Sequence, residues 1–231
     1  MQSTLGLRRG VIVQPSVYGY DNRVMLEALR EGGADFRGVV VISDQTTEAE
    51  LRAMHELGVR GVRINLIYKS GVEVSDVTNL ARKVAPLGWH VQLLIDISEF
   101  ADLYETLAGL PVEVVIDHMG HMPASIGVEH PGFAALLRLT REGKVWVKLS
   151  GASRITNRSD MPYVDTAPYA RALIQANPSR ILWASDWPHV CLSVPMPDDT
   201  RLLEEFYDWA DDDEGVIRQI MVDNPARLYG F

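Results

Sequence analysis

The chain has 231 residues, of which 47% are hydrophobic and 23% charged, with a formal net charge of −9. One sizeable domain fits that length, and the acidic balance argues against nucleic acid as the main partner, because phosphate binding needs a basic stripe. The single cysteine, Cys191, excludes an intramolecular disulfide and points to a reducing cytoplasm, where it reads as a packed thiol.

In chain order, the start MQSTLGLRRG has no apolar run of the kind a signal peptide carries. Nowhere does an uncharged apolar window approach 18 residues, so no membrane span is expected. The first strand is expected at 10–14 (GVIVQ), followed by a helix over 22–31 with Val24, Met25, Leu26 and Leu29 on one side. A second strand at 38–43 precedes a helix over 47–57, with Thr46 and Thr47 as cap candidates and Glu48 and Glu50 in its first turn. Further strands are expected at 61–66, 89–95, 112–117, 144–149 and 180–185. Further helices are expected over 99–107, 133–141, 163–176, 202–209 and 216–228. The strands are mostly apolar rather than alternating, as in parallel sheets covered on both faces. Repeated strand-then-helix units mean an α/β fold with a parallel sheet.

Of the two parallel architectures, a doubly wound nucleotide-binding sheet would carry a Gly-rich turn after its first strand. Here that turn is Pro15-Ser16-Val17-Tyr18-Gly19, which is no such fingerprint. A (β/α)₈ barrel usually takes about 250 residues, and seven strands leave it one short.

In a barrel, chemistry gathers at the C-terminal strand ends. The polar residues there are Gln14 and Ser16; Arg63 and Asn65; Gln92; Asp117 and His118; Lys148, Ser150 and Arg154; and Asp186 with His189. Each has a structural reading of its own. A histidine after a strand can simply be hydrogen-bonded, Asp186 before Trp187-Pro188 can cap a turn, and Arg63 and Lys148 can pair with carboxylates inside the sheet. Turn caps need not gather on one side of a sheet, however, so the joint pattern points to a shared pocket. His55 reads as a solvated helix residue, His90 as a strand start, His130 as loop, and His121 as a second candidate beside His118.

The stretches VQPSVYGYDN (13–22), GVRGVRINL (58–66), VVIDHMG (114–120), VKLSG with Arg154 after it, ILWASDWPH (181–189) and DNPARLYGF (223–231) together resemble the amidohydrolase superfamily. The branch most similar is that of the 2-pyrone-4,6-dicarboxylate lactonase-like hydrolases. The resemblance runs from about residue 8 to the end. It implies a single TIM-type (β/α)₈ barrel domain over residues 1–231, with strands two to eight visible and strand one, with its His-x-His pair, absent. It implies a hydrolase of a lactone or similar cyclic ester, on a carboxylated small molecule such as those of aromatic compound degradation.

By the same resemblance Asp186 activates the attacking water and His118 polarises the reacting carbonyl. Arg63 and Arg154 match residues that hold substrate carboxylates, and Lys69 stands where a third arginine is expected. Ser16, Gln92 and His189 complete the expected substrate-binding set. Leu94 and His121 depart from the pattern, where the branch has Tyr and often Arg.

A lactone carbonyl needs a nucleophilic water, a base and a stabiliser for the oxyanion. An ionised, partly buried Asp186 suits the second role and a histidine donor the third. A zinc site needs about three protein ligands, and His118 and Asp186 are two at most. No tightly bound catalytic metal is therefore expected, although the resemblance allows a divalent metal in the full-length family. Two rival readings stand beside the lactonase: a metal-dependent decarboxylase or amide hydrolase of the same superfamily, and an inactive truncated barrel that serves only as a binding or oligomeric module. Missing its first strand, the barrel would expose two unpaired edges, so self-association into a homo-oligomer is expected.

Overall fold

The computed structural model describes residues 2–67, 74–100 and 102–231, with the side chains of 74–76 excepted. All seven expected strands form: β1 (Gly10–Val13), β2 (Phe36–Val40), β3 (Val59–Asn65), β4 (His90–Leu94), β5 (Val114–Ile116), β6 (Val145–Leu149) and β7 (Ile181–Trp183). They lie in one sheet in chain order. The pairings β1/β2, β2/β3, β3/β4 and β6/β7 are parallel. Strands β4, β5 and β6 are buried at every residue, which is why they read as mostly apolar rather than alternating, with His90, Gln92 and Lys148 as the polar exceptions.

Helices α1 (Arg23–Gly32), α2 (Glu48–Glu56), α4 (Leu103–Ala108), α5 (Pro131–Arg141), α7 (Ala167–Ala176) and α8 (Asp199–Trp209) fall on expected stretches. In α1, Met25 and Leu29 are buried but Val24 is exposed, so the inward stripe is narrower than the sequence suggests. At α2, Thr47 and Glu50 form a capping box, which satisfies two orphan N–H groups at once. The expected C-terminal helix is three consecutive pieces: α9 (Glu214–Arg218), a π-helical turn over Gln219–Asp223, and α10 (Asn224–Tyr229). Two helices go beyond expectation: α3 (Val74–Val84) and the single turn α6 (Ala152–Ile155).

The chain divides into two compact units. One comprises residues within 2–94 and 110–115, with 231; the other comprises residues within 95–109 and 116–230. In the first, Asn22 bridges to the backbone just past the end of β2. Its Nδ2 donates to the Val41 carbonyl at 2.8 Å and its Oδ1 accepts from the Val41 N–H at 3.1 Å. Gln14, buried just after β1, donates to the Asp21 carbonyl at 2.7 Å and so ties down the loop that follows. His55 is half-buried rather than solvated, because its Nδ1 accepts from the Trp89 indole at 2.9 Å.

The second unit packs Phe133, Trp146, Tyr163 and Phe206 as its largest fully buried side chains. Asn224, which opens α10, donates to the carbonyls of Pro178 and Ile181 at 2.8 and 2.6 Å. That pair docks the DNP segment near the start of β7. His130 caps α5, its Nδ1 accepting from the Gly132 N–H at 3.1 Å. Among the described residues, no helix is long and apolar enough to cross a membrane.

Candidate active site

The second unit brings together His118, His121, Ser150, Arg154 and Asp186. His118 follows β5, Ser150 follows β6, Arg154 lies in α6 and Asp186 follows β7. These side chains thus lie on the segments that follow the C-terminal ends of β5, β6 and β7.

Those turns are unusual. Of the eight non-glycine residues with positive φ among the described residues, six lie in two short segments: His118, Met119 and His121, and Asp186, His189 and Cys191. Left-handed backbone disfavours side chains with a Cβ, and such residues cluster where surrounding structure holds a functional geometry.

Asp186 is the centre of the group. Its Oδ2 accepts from Arg154 Nε at 2.6 Å, and its Oδ1 lies 3.6 Å from His118 Nε2. Both Arg154 and Asp186 are mostly buried, with side-chain exposures of 12% and 15%. A charge-assisted bond this short in such surroundings is among the stronger polar contacts a protein makes. Arg154 also donates through Nη2 to the Val190 carbonyl at 3.1 Å. It thus holds both the Asp186 carboxylate and the backbone four residues on.

His118 is buried, and burial pushes its imidazole down to a pKa of about 4. The neighbouring Asp186 and Asp117 carboxylates oppose that shift without cancelling it. The ring is therefore neutral near pH 7, able to donate one hydrogen bond and accept another. Its Nδ1 lies 2.9 Å from Ser150 Oγ. His121 sits with its ring centroid 6.0 Å from that of His118, and burial lowers its pKa as well.

Two further pairs brace the site. Lys148 Nζ lies 3.1 Å from Asp117 Oδ1, with both side chains buried. His189, expected as a substrate contact, is buried, with its Nε2 3.0 Å from Asp199 Oδ1 at the start of α8. Its backbone N–H donates to the Asp186 carbonyl at 2.9 Å, which closes the turn that carries the carboxylate. Cys191 is exposed rather than packed, because the chain leaves the core at this turn.

The first unit holds the other expected residues. Arg63 Nη1 donates to Ser16 Oγ at 3.3 Å and approaches the Gln14 carbonyl at 3.4 Å. Asn65, the last residue of β3, donates to the same Ser16 oxygen at 2.8 Å. Gln92 is buried within β4, in register with Arg63. Lys69 lies outside the described residues.

Among the described residues, no group of three or more His, Cys, Asp and Glu side chains comes together to hold a metal ion. Of the two Asp186 oxygens, Oδ2 accepts from the Arg154 guanidinium and Oδ1 faces the His118 ring.

Asp117, Lys148 and Ser150, expected at strand ends, lie against other site residues, and Asp199 joins them as the partner of His189. Lys148 was legible in part, since a lysine inside an apolar strand requires a buried partner. Asp199, ten residues beyond His189 along the chain, carries no local signal of the contact.

The Amidohydrolase family matches residues 1–231. The 2-pyrone-4,6-dicarboxylate hydrolase of Comamonas testosteroni is 35% identical over 239 aligned positions, covering 99% of this chain and 78% of that protein. The 4-sulfomuconolactone hydrolase of Hydrogenophaga intermedia is 37% identical, covering 98% of this chain and 76% of that protein. Among solved structures, an Agrobacterium tumefaciens protein crystallised without ligand superposes with a TM-score of 0.90 at 30% identity, covering 100% of this chain and 83% of that one. The chain belongs to the amidohydrolase family.

Proposed function

We propose that this chain hydrolyses a lactone of a carboxylated small molecule, with Asp186 as the base that activates water. The observation that carries this reading is the buried trio of Arg154, Asp186 and His118, with contacts of 2.6 and 3.6 Å on the two carboxylate oxygens. The relatives named as hydrolases of a pyrone dicarboxylate and a sulfomuconolactone support the substrate class.

In this reading Asp186 takes a proton from water through the oxygen that faces His118. The hydroxide adds to the lactone carbonyl, and the resulting oxyanion accepts a hydrogen bond from the neutral His118 ring. Collapse of the tetrahedral intermediate breaks the ring C–O bond. The proton held by Asp186 passes to the leaving oxygen, so base and acid are one residue. Arg154 compensates the carboxylate's charge and fixes its orientation.

Arg63 and Ser16 hold an acidic group of the substrate, and Lys69 and Gln92 belong to the same binding set. Ser16 supports this role because its oxygen already accepts from Arg63 and Asn65, which leaves its O–H to donate. His189 acts by holding the Asp186 turn.

The chemistry above needs no cofactor. We also propose a cytoplasmic enzyme that self-associates. The strands β1 and β7 end the sheet order, and edge strands present unpaired backbone groups.

The test is a panel of carboxylated lactones and their neutral isosteres, followed by titration during hydrolysis. Acidic lactones are expected to turn over with the higher kcat/KM. Replacing Arg63 by Met should weaken acidic ligands by about 2–5 kcal/mol and leave neutral ones nearly unchanged. Equal losses for both would refute charge reading by Arg63.

A further inference from the structure

Ser150 has no part in the reaction just described, yet it is buried against the residue that stabilises the oxyanion. Its Oγ lies 2.9 Å from His118 Nδ1. The other ring nitrogen, Nε2, faces Asp186 Oδ1 at 3.6 Å.

A neutral imidazole has one N–H and one bare nitrogen. With the proton on Nδ1, the bare Nε2 would face a carboxylate oxygen, two acceptors opposed in a buried place. With the proton on Nε2, the N–H points at that carboxylate and the bare Nδ1 needs a donor. The Ser150 hydroxyl is at hydrogen-bonding distance to supply one. The other charged and titratable groups acting on the ring are Asp117, Arg154 and His121. Asp117 favours a protonated ring, whereas Arg154 and His121 oppose it.

The ring's place is fixed as tightly as its proton. Gly151 sits at φ 65°, and a Cβ there would come within 2.7 Å of His118 Cγ and Nδ1. The imidazole therefore lies flush against the backbone of the residue after Ser150, where only glycine leaves it room.

We propose that Ser150 is a positioning residue: its hydroxyl donates to Nδ1 and thereby fixes His118 as the tautomer protonated on Nε2. The consequence for catalysis rests on the lactonase reading, because only that tautomer offers an N–H to an oxyanion. The tautomer itself does not depend on that reading. Ser150 forms no covalent bond and gives up no proton in the cycle.

The experiment is nitrogen-15 NMR of the full chain labelled in histidine, at neutral pH, with His118→Gln assigning the signals by their loss. Wild type is expected to show His118 protonated on Nε2 and bare on Nδ1. Ser150→Ala is expected to give a mixed or Nδ1-protonated ring, and Ser150→Thr to restore the wild-type pattern. A wild-type ring protonated on Nδ1 would overturn the proposal, as would a Ser150→Ala spectrum unchanged from wild type. If Ser150→Ala does not fold, Ser150→Cys, whose thiol is only a weak donor, takes its place with the same expectation and the same overturning result. On a carboxylated lactone, Ser150→Ala should lower kcat about tenfold or more while KM stays within about twofold, since a misplaced donor affects the oxyanion rather than substrate binding. A wild type that hydrolyses no lactone would defeat the proposed function and leave the NMR result standing.

Discussion

Arg154 Nε and Asp186 Oδ2 lie 2.6 Å apart, with both side chains mostly buried. Arg154 is expected from its resemblance to meet a substrate carboxylate, and here it meets the proposed base. An arginine fork has several donors, so it can hold Asp186 through Nε and still offer other N–H groups.

Replacing Arg154 by Gln should leave the Asp186 carboxylate without its cation. Losing a charge-assisted bond of this kind costs roughly 1.5–3 kcal/mol, so kcat/KM on an acidic lactone should fall about 10- to 100-fold. Arg154→Lys should recover little, because an ammonium does not reproduce the Nε geometry. Steady-state kinetics on the two variants check this, and wild-type rates in Arg154→Gln would contradict it.

The His118 ring carries a pH dependence whose sign is fixed by burial. Its pKa falls from an ordinary 6.5 to about 4 in the fold. Between those values the unfolded chain binds the proton and the folded chain does not, so acid favours unfolding. The stability linked to a neutral His118 is complete above about pH 6.5 and declines as pH falls toward 4. About 2 kcal/mol should go between pH 7 and pH 5. Urea denaturation at the two pH values should show a smaller loss in His118→Gln. Some slope will remain, because burial lowers His121 in the same direction.

Lys148 and Asp117 form a buried pair at 3.1 Å. Removing one partner leaves an uncompensated charge, at a cost of about 3–5 kcal/mol, whereas an apolar pair of similar volume can be nearly neutral. Asp117→Asn and Lys148→Met should each lower the denaturation midpoint strongly, and the double variant Asp117→Leu/Lys148→Met should recover much of the loss. A double variant that loses the sum of both would show that the two act independently.

The strands were legible because buried parallel strands are written as short apolar runs, and all seven stand where those runs lie. Helix α3 is written in the sequence too, with Val77, Ala81 and Val84 buried at helical spacing. The carboxylate and imidazole of the site were marked by position, since Asp186 and His118 follow strands directly. Ser150 and Arg154 were marked in the same way, but which residue each would meet was not. The distance from Ser150 to His118 spans 32 positions and depends on a left-handed Gly151 that no local periodicity announces. The Arg154–Asp186 pair likewise joins a helical turn and a loop across 32 positions, and which anion an arginine meets is set by packing rather than by its own neighbours. His189 shows the converse. Its motif suggested a substrate contact, and its ring turned inward because Asp199 caps it from the start of α8.

The most direct test of the account compares wild type with Asp186→Asn on one carboxylated lactone. The amide keeps the shape of the carboxylate but cannot take a proton from water. The account predicts measurable hydrolysis by wild type and a loss of about 10²–10⁴-fold in kcat for Asp186→Asn, the range expected for removing a positioned general base. Hydrolysis by Asp186→Asn at the wild-type rate would contradict it.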